Sequence, residues 1–253
     1  MDSRNFSPVD KSPERIRRMF DAVAPRYDLI NHILSFGIDH SWRRFTARQL
    51  IHNKIIEGDI LDVCCGTGDL SFAFFKQQQK SKIERTNYGI DFSSEMIEIA
   101  MKKAEHYPTF NFSVGDTLNL PFEDNRFALV AVAFGLRNVH DTHRGLAEMV
   151  RVCKPEGIVA VLDFSMPTLP ILRHCYRFYF SVILPRLGGW IANSQDRAYN
   201  YLTESVLQFD QPAKLSEHLR QLGIADIQAT PLTFGIVTLI WGRKFRNAYR
   251  STG

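Results

Sequence analysis

Apolar residues fall along this chain in two rhythms. Between residues 12 and 50 they recur at helical spacing; from residue 58 onward, short unbroken apolar runs alternate with helical stretches. Ser12-Pro13-Glu14 reads as a helix start: serine caps, proline suits the first turn, and the acid sits at the positive end of the helix dipole. Helical patterning runs to about Leu50, with breaks expected near Pro25 and at Ser35-Phe36-Gly37. Residues 1–11 read as a loose tail, with no apolar segment of the kind a signal peptide carries.

The runs at 60–64, 87–91, 110–114, 127–134 and 157–164 predict strands, and the stretches to Phe75, at 93–105 and at 142–152 predict the helices between them. Gln77-Gln78-Gln79 reads as a short polar loop. The run FALVAVAF at 127–134 is apolar throughout, as a parallel strand covered on both faces should be. Alternating strands and helices imply a parallel sheet with right-handed crossovers. The alternation then stops for about 45 residues. There Leu172, Cys175, Tyr176, Tyr179, Val182 and Ile183 repeat at helical spacing up to Pro185 and Gly188-Gly189, and Tyr199, Leu202 and Val206 form a second helical pattern. A helix at 211–222 follows, then strands at 224–232 and 234–242 joined by a turn too short for anything but an antiparallel pair. The expectation is one domain over 1–253: N-terminal helices (1–57), a ligand-binding core (58–165), a helical lid (166–210) and a closing helix and hairpin (211–253).

Hydrophobic residues make up 45% of the chain and charged residues 23%, so an ordinary core needs no disulfide or structural metal. The four cysteines include no C-x-x-C pair; reduced cytosolic thiols are the expectation, and no metal site. No run reaches the roughly 18 apolar residues of a membrane span. The net charge of +4 admits an anionic partner or simply a basic surface.

The first strand runs into Asp62-Val63-Cys64-Cys65-Gly66-Thr67-Gly68-Asp69. Glycines here let a ligand approach the backbone and the helix N-terminus. A dinucleotide loop would carry a third glycine, whereas Asp69 would repel a pyrophosphate and attract an amino group. That favours S-adenosylmethionine. Asp91 ends the second strand, where a carboxylate grips ribose hydroxyls, and Asp116 follows the third, where one can accept from an adenine amino group. Either acid also suits a simple helix or turn cap. Arg137 and Asn138 follow the fourth strand on the edge where such sites form. Arg137 can stabilise an oxyanion, or it can form an ion pair with Asp163 or Glu148. Tyr27 and Asn31 share a helix face. His140 is a reserve proton acceptor in a surface loop.

Several motifs resemble those of the ubiquinone/menaquinone-biosynthesis C-methyltransferases. They are Tyr27-Asp28-Leu29-Ile30-Asn31 with Ser35 and Trp42, the loop from Cys64 to Leu70, Asp91-Phe92-Ser93-Ser94-Glu95-Met96, and Phe134-Gly135-Leu136-Arg137-Asn138. Residues 151–157 with Asp163-Phe164-Ser165, and Tyr199-Asn200-Tyr201-Leu202-Thr203-Glu204-Ser205, complete the set. Ile30, Cys64, Cys65, Cys153, Glu156 and Asp163 depart from the usual wording. The resemblance implies a Rossmann-like, doubly wound class I methyltransferase fold of seven strands, the last antiparallel. It also implies methyl transfer from S-adenosylmethionine to a ring carbon of a prenylated quinol. It assigns Asp62, Gly66, Thr67, Gly68, Asp91, Met96, Asp116, Thr117 and Ala133 to the cofactor, Arg137, Asn138 and Tyr27 to catalysis, and Asn31 and Tyr201 to the substrate. The wording of 10–20 looks more like the menaquinone branch. Peripheral contact with the inner face of a membrane, through N-terminal arginines 15, 17, 18, 43, 44 and 48, and a homodimer are further expectations. The rivals are an RNA methyltransferase, an NAD-dependent oxidoreductase and a non-catalytic scaffold. Against RNA stands Gly135-Leu136-Arg137-Asn138, where a base methylator often carries Asn/Asp-Pro-Pro-aromatic.

Overall fold

The computed structural model describes residues 12–52, 56–167, 169–178, 201, 205–206 and 209–246. Two helices, α1 (Pro13–Leu34) and α2 (Ile38–His52), precede the sheet. Then follow β1 (Ile60–Val63), α3 (Asp69–Ser81), β2 (Asn87–Asp91), α4 (Ser94–Ala104), β3 (Phe110–Val114), β4 (Phe127–Ala133), α5 (Thr142–Val152) and β5 (Cys153–Phe164). After β5 come α6 (Pro170–Phe178), α7 (Pro212–Gln221), β6 (Ile224–Leu232) and β7 (Val237–Lys244). The seven strands lie in the order β3-β2-β1-β4-β5-β7-β6. The first five run parallel, and β7 runs antiparallel to both of its neighbours.

Alternation along buried strands builds a core on each face. On β4, Val130 and Val132 join the Leu146, Met149 and Leu219 side, while Leu129 and Ala131 join the Leu50, Phe74 and Trp42 side. Both faces are therefore dry, which is why the strand reads as an unbroken apolar run. The chain steps outward from β1 to β3 and returns to β4 beside β1. The reversal opens a crevice at the carboxyl ends of β1 and β4, where doubly wound sheets bind ligands.

The structure corrects the sequence reading in three places. Helix α1 passes through Pro25 without a break; Pro25 is exposed, and the flanking turns are tied down by Asp21 to Ser93 and Asp28 to Lys103. Gln77 and Gln78 lie inside α3 and are buried. Gln78 donates to Asn87 at 2.8 Å and Gln77 contacts His52 at 2.9 Å, so their amides are satisfied where a generic polar loop would face water. Strand β5 starts directly at the end of α5, four residues early, with Glu156 in the left-handed region and a register irregularity against β4. The expected break at 35–37 is real: Phe36 and Gly37 both have positive φ. The β6–β7 turn is the short helical turn Thr233–Gly235, which Trp42 Nε1 holds by donating to Thr233 Oγ1 at 2.8 Å. Of the lid, Tyr179, Val182, Ile183, Pro185, Gly188, Gly189, Tyr199 and Leu202 lie outside the described residues.

Candidate active site

The loop after β1 turns sharply, with Cys64, Gly66 and Gly68 all at positive φ. Nearby, Gly135 must be glycine, since a Cβ there would sit 2.3 Å from Cys64 Cβ. Asp91 joins this loop to the next strand: Gly66 N–H donates to its Oδ2 at 2.8 Å, and Ser93 N–H to its Oδ1 at 2.9 Å. Burial pushes this carboxyl above the usual range, against the hydrogen bonds that favour its charge. A carboxylate offers about four lone-pair sites, and with the Phe92 N–H bearing on it as well, it still faces the cleft with acceptor capacity to spare.

A cleft with a cavity volume of about 120 Å³ lies above this loop. Gly66, Asp91, Met96, Asp116, Thr117 and Ala133 line it, as the sequence suggested, and so do Tyr27 and Asn138. His140 also reaches it. The sequence reading missed the apolar wall of Ile16, Phe20, Phe92, Leu118 and Val139. Two of these lie on α1, whose only signal was its amphipathic spacing. The Asp116 carboxylate caps the following turn by accepting from Leu118 N–H at 2.8 Å through Oδ1. Thr117 Oγ1 lies 3.2 Å from Cys64 Sγ, whose thiol burial pushes up to about 12 and so keeps protonated.

Asp62, Thr67, Gly68 and Arg137 support the cleft without lining it. Asp62 Oδ2 accepts from Ser71 N–H at 3.0 Å and Ser71 Oγ at 2.7 Å, which anchors the first turn of α3. Burial raises its pKa to about 7, and Oδ1 has no hydrogen-bond partner among the described residues. Thr67 Oγ1 donates to Asp28 at 2.7 Å and accepts from Lys103 at 2.9 Å. Asp69, read as an attractor for an amino group, is already engaged: Lys103 lies 3.2 Å away and Arg43 3.8 Å away. Burial alone would raise its carboxyl, but those two cations hold it below the usual range.

Arg137 is buried against β5. Its guanidinium donates to the Phe134 carbonyl, pairs with Asp163 at 3.2 Å and lies over the Phe164 ring at 5.4 Å. Glu148 pairs instead with Arg151. Arg137 therefore acts on the cleft electrostatically: burial pushes the Tyr27 phenol up, and Arg137 opposes that rise. Tyr27 packs its ring edge 4.0 Å from where a Gly66 Cβ would be and hydrogen bonds to Asn31. The Tyr201 hydroxyl donates to Asn138 Oδ1 at 3.1 Å. That contact links the turn after β4 to the segment after α6, and it leaves the Asn138 NH2 as the donor to a ligand.

The site fits S-adenosylmethionine. It places an open-sided carboxylate (Asp91) at the end of β2, a second (Asp116) at the end of β3, an apolar slot between Met96, Phe92 and Leu118, and a tight left-handed loop. The comparisons agree. Residues 9–244 match the ubiE/COQ5 methyltransferase family. The chain is 42% identical over 239 residues to a ubiquinone/menaquinone biosynthesis C-methyltransferase of Citrifermentans bemidjiense, covering 93% of this chain and 99% of the relative. It is 37% identical over 248 residues to a demethylmenaquinone methyltransferase of Deinococcus radiodurans, covering 96% and 100%. Among solved structures, an S-adenosylmethionine-dependent methyltransferase of Thermotoga maritima superimposes with a TM-score of 0.58 at 18% identity, covering 90% and 99%. That likeness shows the same fold.

Proposed function

The chain belongs to the ubiE/COQ5 methyltransferase family, and from that premise we propose that its substrate is a prenylated demethylnaphthoquinol, the ring of the menaquinone branch. The protein is an S-adenosylmethionine-dependent C-methyltransferase of quinone biosynthesis. The Citrifermentans relative's name covers both quinones and the Deinococcus relative's name menaquinone alone, so the naphthoquinol is the ring they share.

When bound, S-adenosylmethionine supplies an electrophilic methyl group. The chain must make the quinol ring carbon nucleophilic and hold it in line with that methyl. A ring carbon gains electron density when its neighbouring hydroxyl is deprotonated, and a phenol ordinarily titrates near 10. The observation that carries the proposal is Asn138, which lines the cleft with its amide oxygen already bonded to Tyr201. Its NH2 is then a fixed donor for a quinol oxygen, the kind of preorganised contact that stabilises developing negative charge. The Arg137 guanidinium adds positive potential from behind. Tyr27, kept protonated by burial, is a second donor and not a base. His140, exposed at the rim, is the group we assign to accept the proton. The apolar wall of Ile16, Phe20 and Val139 suits the ring and the start of its tail.

A prenyl tail partitions into lipid, so the proposal includes peripheral contact with the inner face of a membrane; no described helix is long and apolar enough to cross one. The test is methyl transfer from labelled S-adenosylmethionine to short-tailed demethylmenaquinol, with a demethoxy-benzoquinol alongside. Label in the naphthoquinol ring, reduced 100-fold or so in Asn138→Ala, is the expected result. Preferential labelling of the benzoquinol would overturn the ring assignment.

A further inference from the structure

The outer surface of α1 and α2 carries two features that the cleft does not use. The first is a row of cations. Arg44 and Arg48 on α2 face Lys76 and Lys80 on α3 across a groove between the two helices. All four are exposed, and none makes an ion pair or hydrogen bond among the described residues. Other basic groups nearby are committed: Arg43 to Asp39, Lys103 to Asp28 and Asp69, Arg17 to Asp21. Among the described residues lining the groove, the one acid is Asp69, which Lys103 and Arg43 already neutralise.

The second feature is apolar. Leu29 and Ile33 at the end of α1, Phe36 in the turn, and Ile38 and Phe45 on α2 are exposed, Phe36 by 79%. These are five of the twelve large hydrophobic side chains exposed in the described structure, gathered in 17 consecutive residues. Phe36 stands at the tip of the elbow with a positive φ, an unusual place for an aromatic side chain. Ile38 and Phe45 are seven apart and share the solvent face of α2 with Arg48. A solvated basic face explains the cations but not the hydrophobics, and a buried protein interface would not leave four like charges beside it. Exposed apolar side chains beside free cations on the same helix match an anionic lipid surface, whose headgroups attract the charges and whose acyl boundary takes the apolar tips.

We infer that the α1–α2 elbow docks on an anionic lipid bilayer, with Phe36 and its apolar neighbours entering the headgroup region and Arg44, Arg48, Lys76 and Lys80 facing the phosphates. The elbow adjoins the cleft: Leu29 follows Tyr27 by two residues on the same helix, one facing out and the other lining the site. This rests on the quinol reading for its purpose, since it sets the site's entrance beside the phase in which a prenylated ring dissolves. Its physical basis does not depend on that reading.

The experiment is flotation of the full chain with vesicles of phosphatidylcholine alone and of phosphatidylcholine with phosphatidylglycerol, at low and high salt. Compared with the native chain are an Arg44→Glu/Arg48→Glu variant and a Phe36→Asn variant; asparagine tolerates that backbone. Expected is flotation with the anionic vesicles only, suppressed by salt, and weakened by about fivefold for each cation removed and more on reversal. Phe36→Asn should weaken binding to the same vesicles with its salt dependence unchanged. Both variants should methylate a short-tailed quinol in solution at the native rate and lose rate only on long-tailed quinol in anionic vesicles. Binding by the charge-reversed chain equal to the native one, no flotation at all, or capture of RNA in place of vesicles would each overturn the assignment. Failure of the native chain to methylate any quinol, with flotation intact, would instead count against the substrate and leave the docking surface standing.

Discussion

At Arg137 the sequence offered two readings, an oxyanion stabiliser or an ion pair, and the structure joins them. The guanidinium is buried with Asp163 and still bears on Tyr27. Removing one partner of a buried pair strands the other charge, at a cost of about 3–5 kcal/mol. Arg137→Ala should lose that much stability in urea denaturation, so its lost activity alone says little about chemistry. Replacing both partners, Arg137→Met with Asp163→Leu, should recover most of the stability but not the activity. Stability recovered together with full activity would reduce Arg137 to a structural residue. Asp62 gives a second test. Its folded pKa is raised from 3.8 to about 7 by burial. A raised folded pKa means a contribution that is whole below the unfolded value and lost as pH rises through the folded one. The native chain should therefore lose stability between about pH 4 and pH 8 relative to Asp62→Asn, at about 1.4 kcal/mol per pH unit while the carboxyl is charged only in the unfolded chain. Asparagine keeps an oxygen for Ser71. Parallel stability curves for the two proteins over that range would refute the assignment.

At the scale of elements, α1 is the wall that the local sequence left unseen. Its patterning showed a helix, but its role comes from pairs distant in the chain: Asp21 with Ser93, 72 residues apart, and Asp28 with Thr67, 39 apart. Single-sequence periodicity carries no such information. The same holds for the two local errors. Proline rules are right about Pro25 in isolation, but the flanking anchors outweigh the lost hydrogen bond. Polarity is right about Gln77 and Gln78, until Asn87 and His52 satisfy them inside. By contrast, the FGLRN turn was legible through its resemblance to the family's wording; the contact that requires Gly135, with Cys64, spans 71 residues and shows only in the fold. Lys103 joins Asp28, Thr67 and Asp69 at one point and so fastens α1 to the cofactor loop. These groups are partly exposed, so Lys103→Ala should change global stability by under about 1 kcal/mol. It should still weaken S-adenosylmethionine binding severalfold and speed tryptic cleavage within α1. Unchanged affinity and unchanged cleavage would mean that α1 closes without this clasp.

At the scale of the molecule, topology does the positioning. The sheet reverses between β1 and β4, and the ends of β1, β2 and β4 deliver the loop, Asp91 and the turn to Asn138 to one crevice. That the sheet is parallel and closes on an antiparallel pair could be anticipated, since central parallel strands announce themselves as apolar runs and a short final turn forces an antiparallel pair. The site's acids were legible for the same reason: they sit at strand ends. What binds between them must then stabilise the folded chain by mass action, by about 2.7 kcal/mol at a hundredfold excess over Kd. For a chain of this size that corresponds to roughly 5–10 °C in melting temperature. Because Asp91 holds the loop through Gly66 and also lines the cleft, Asp91→Ala should lower the melting temperature of the free protein and also abolish the increment from S-adenosylmethionine. The two effects separate its roles. A lowered baseline with the full increment retained would confine Asp91 to bracing the loop, and the grip on the cofactor would then fall to Asp116 and the backbone of the turn.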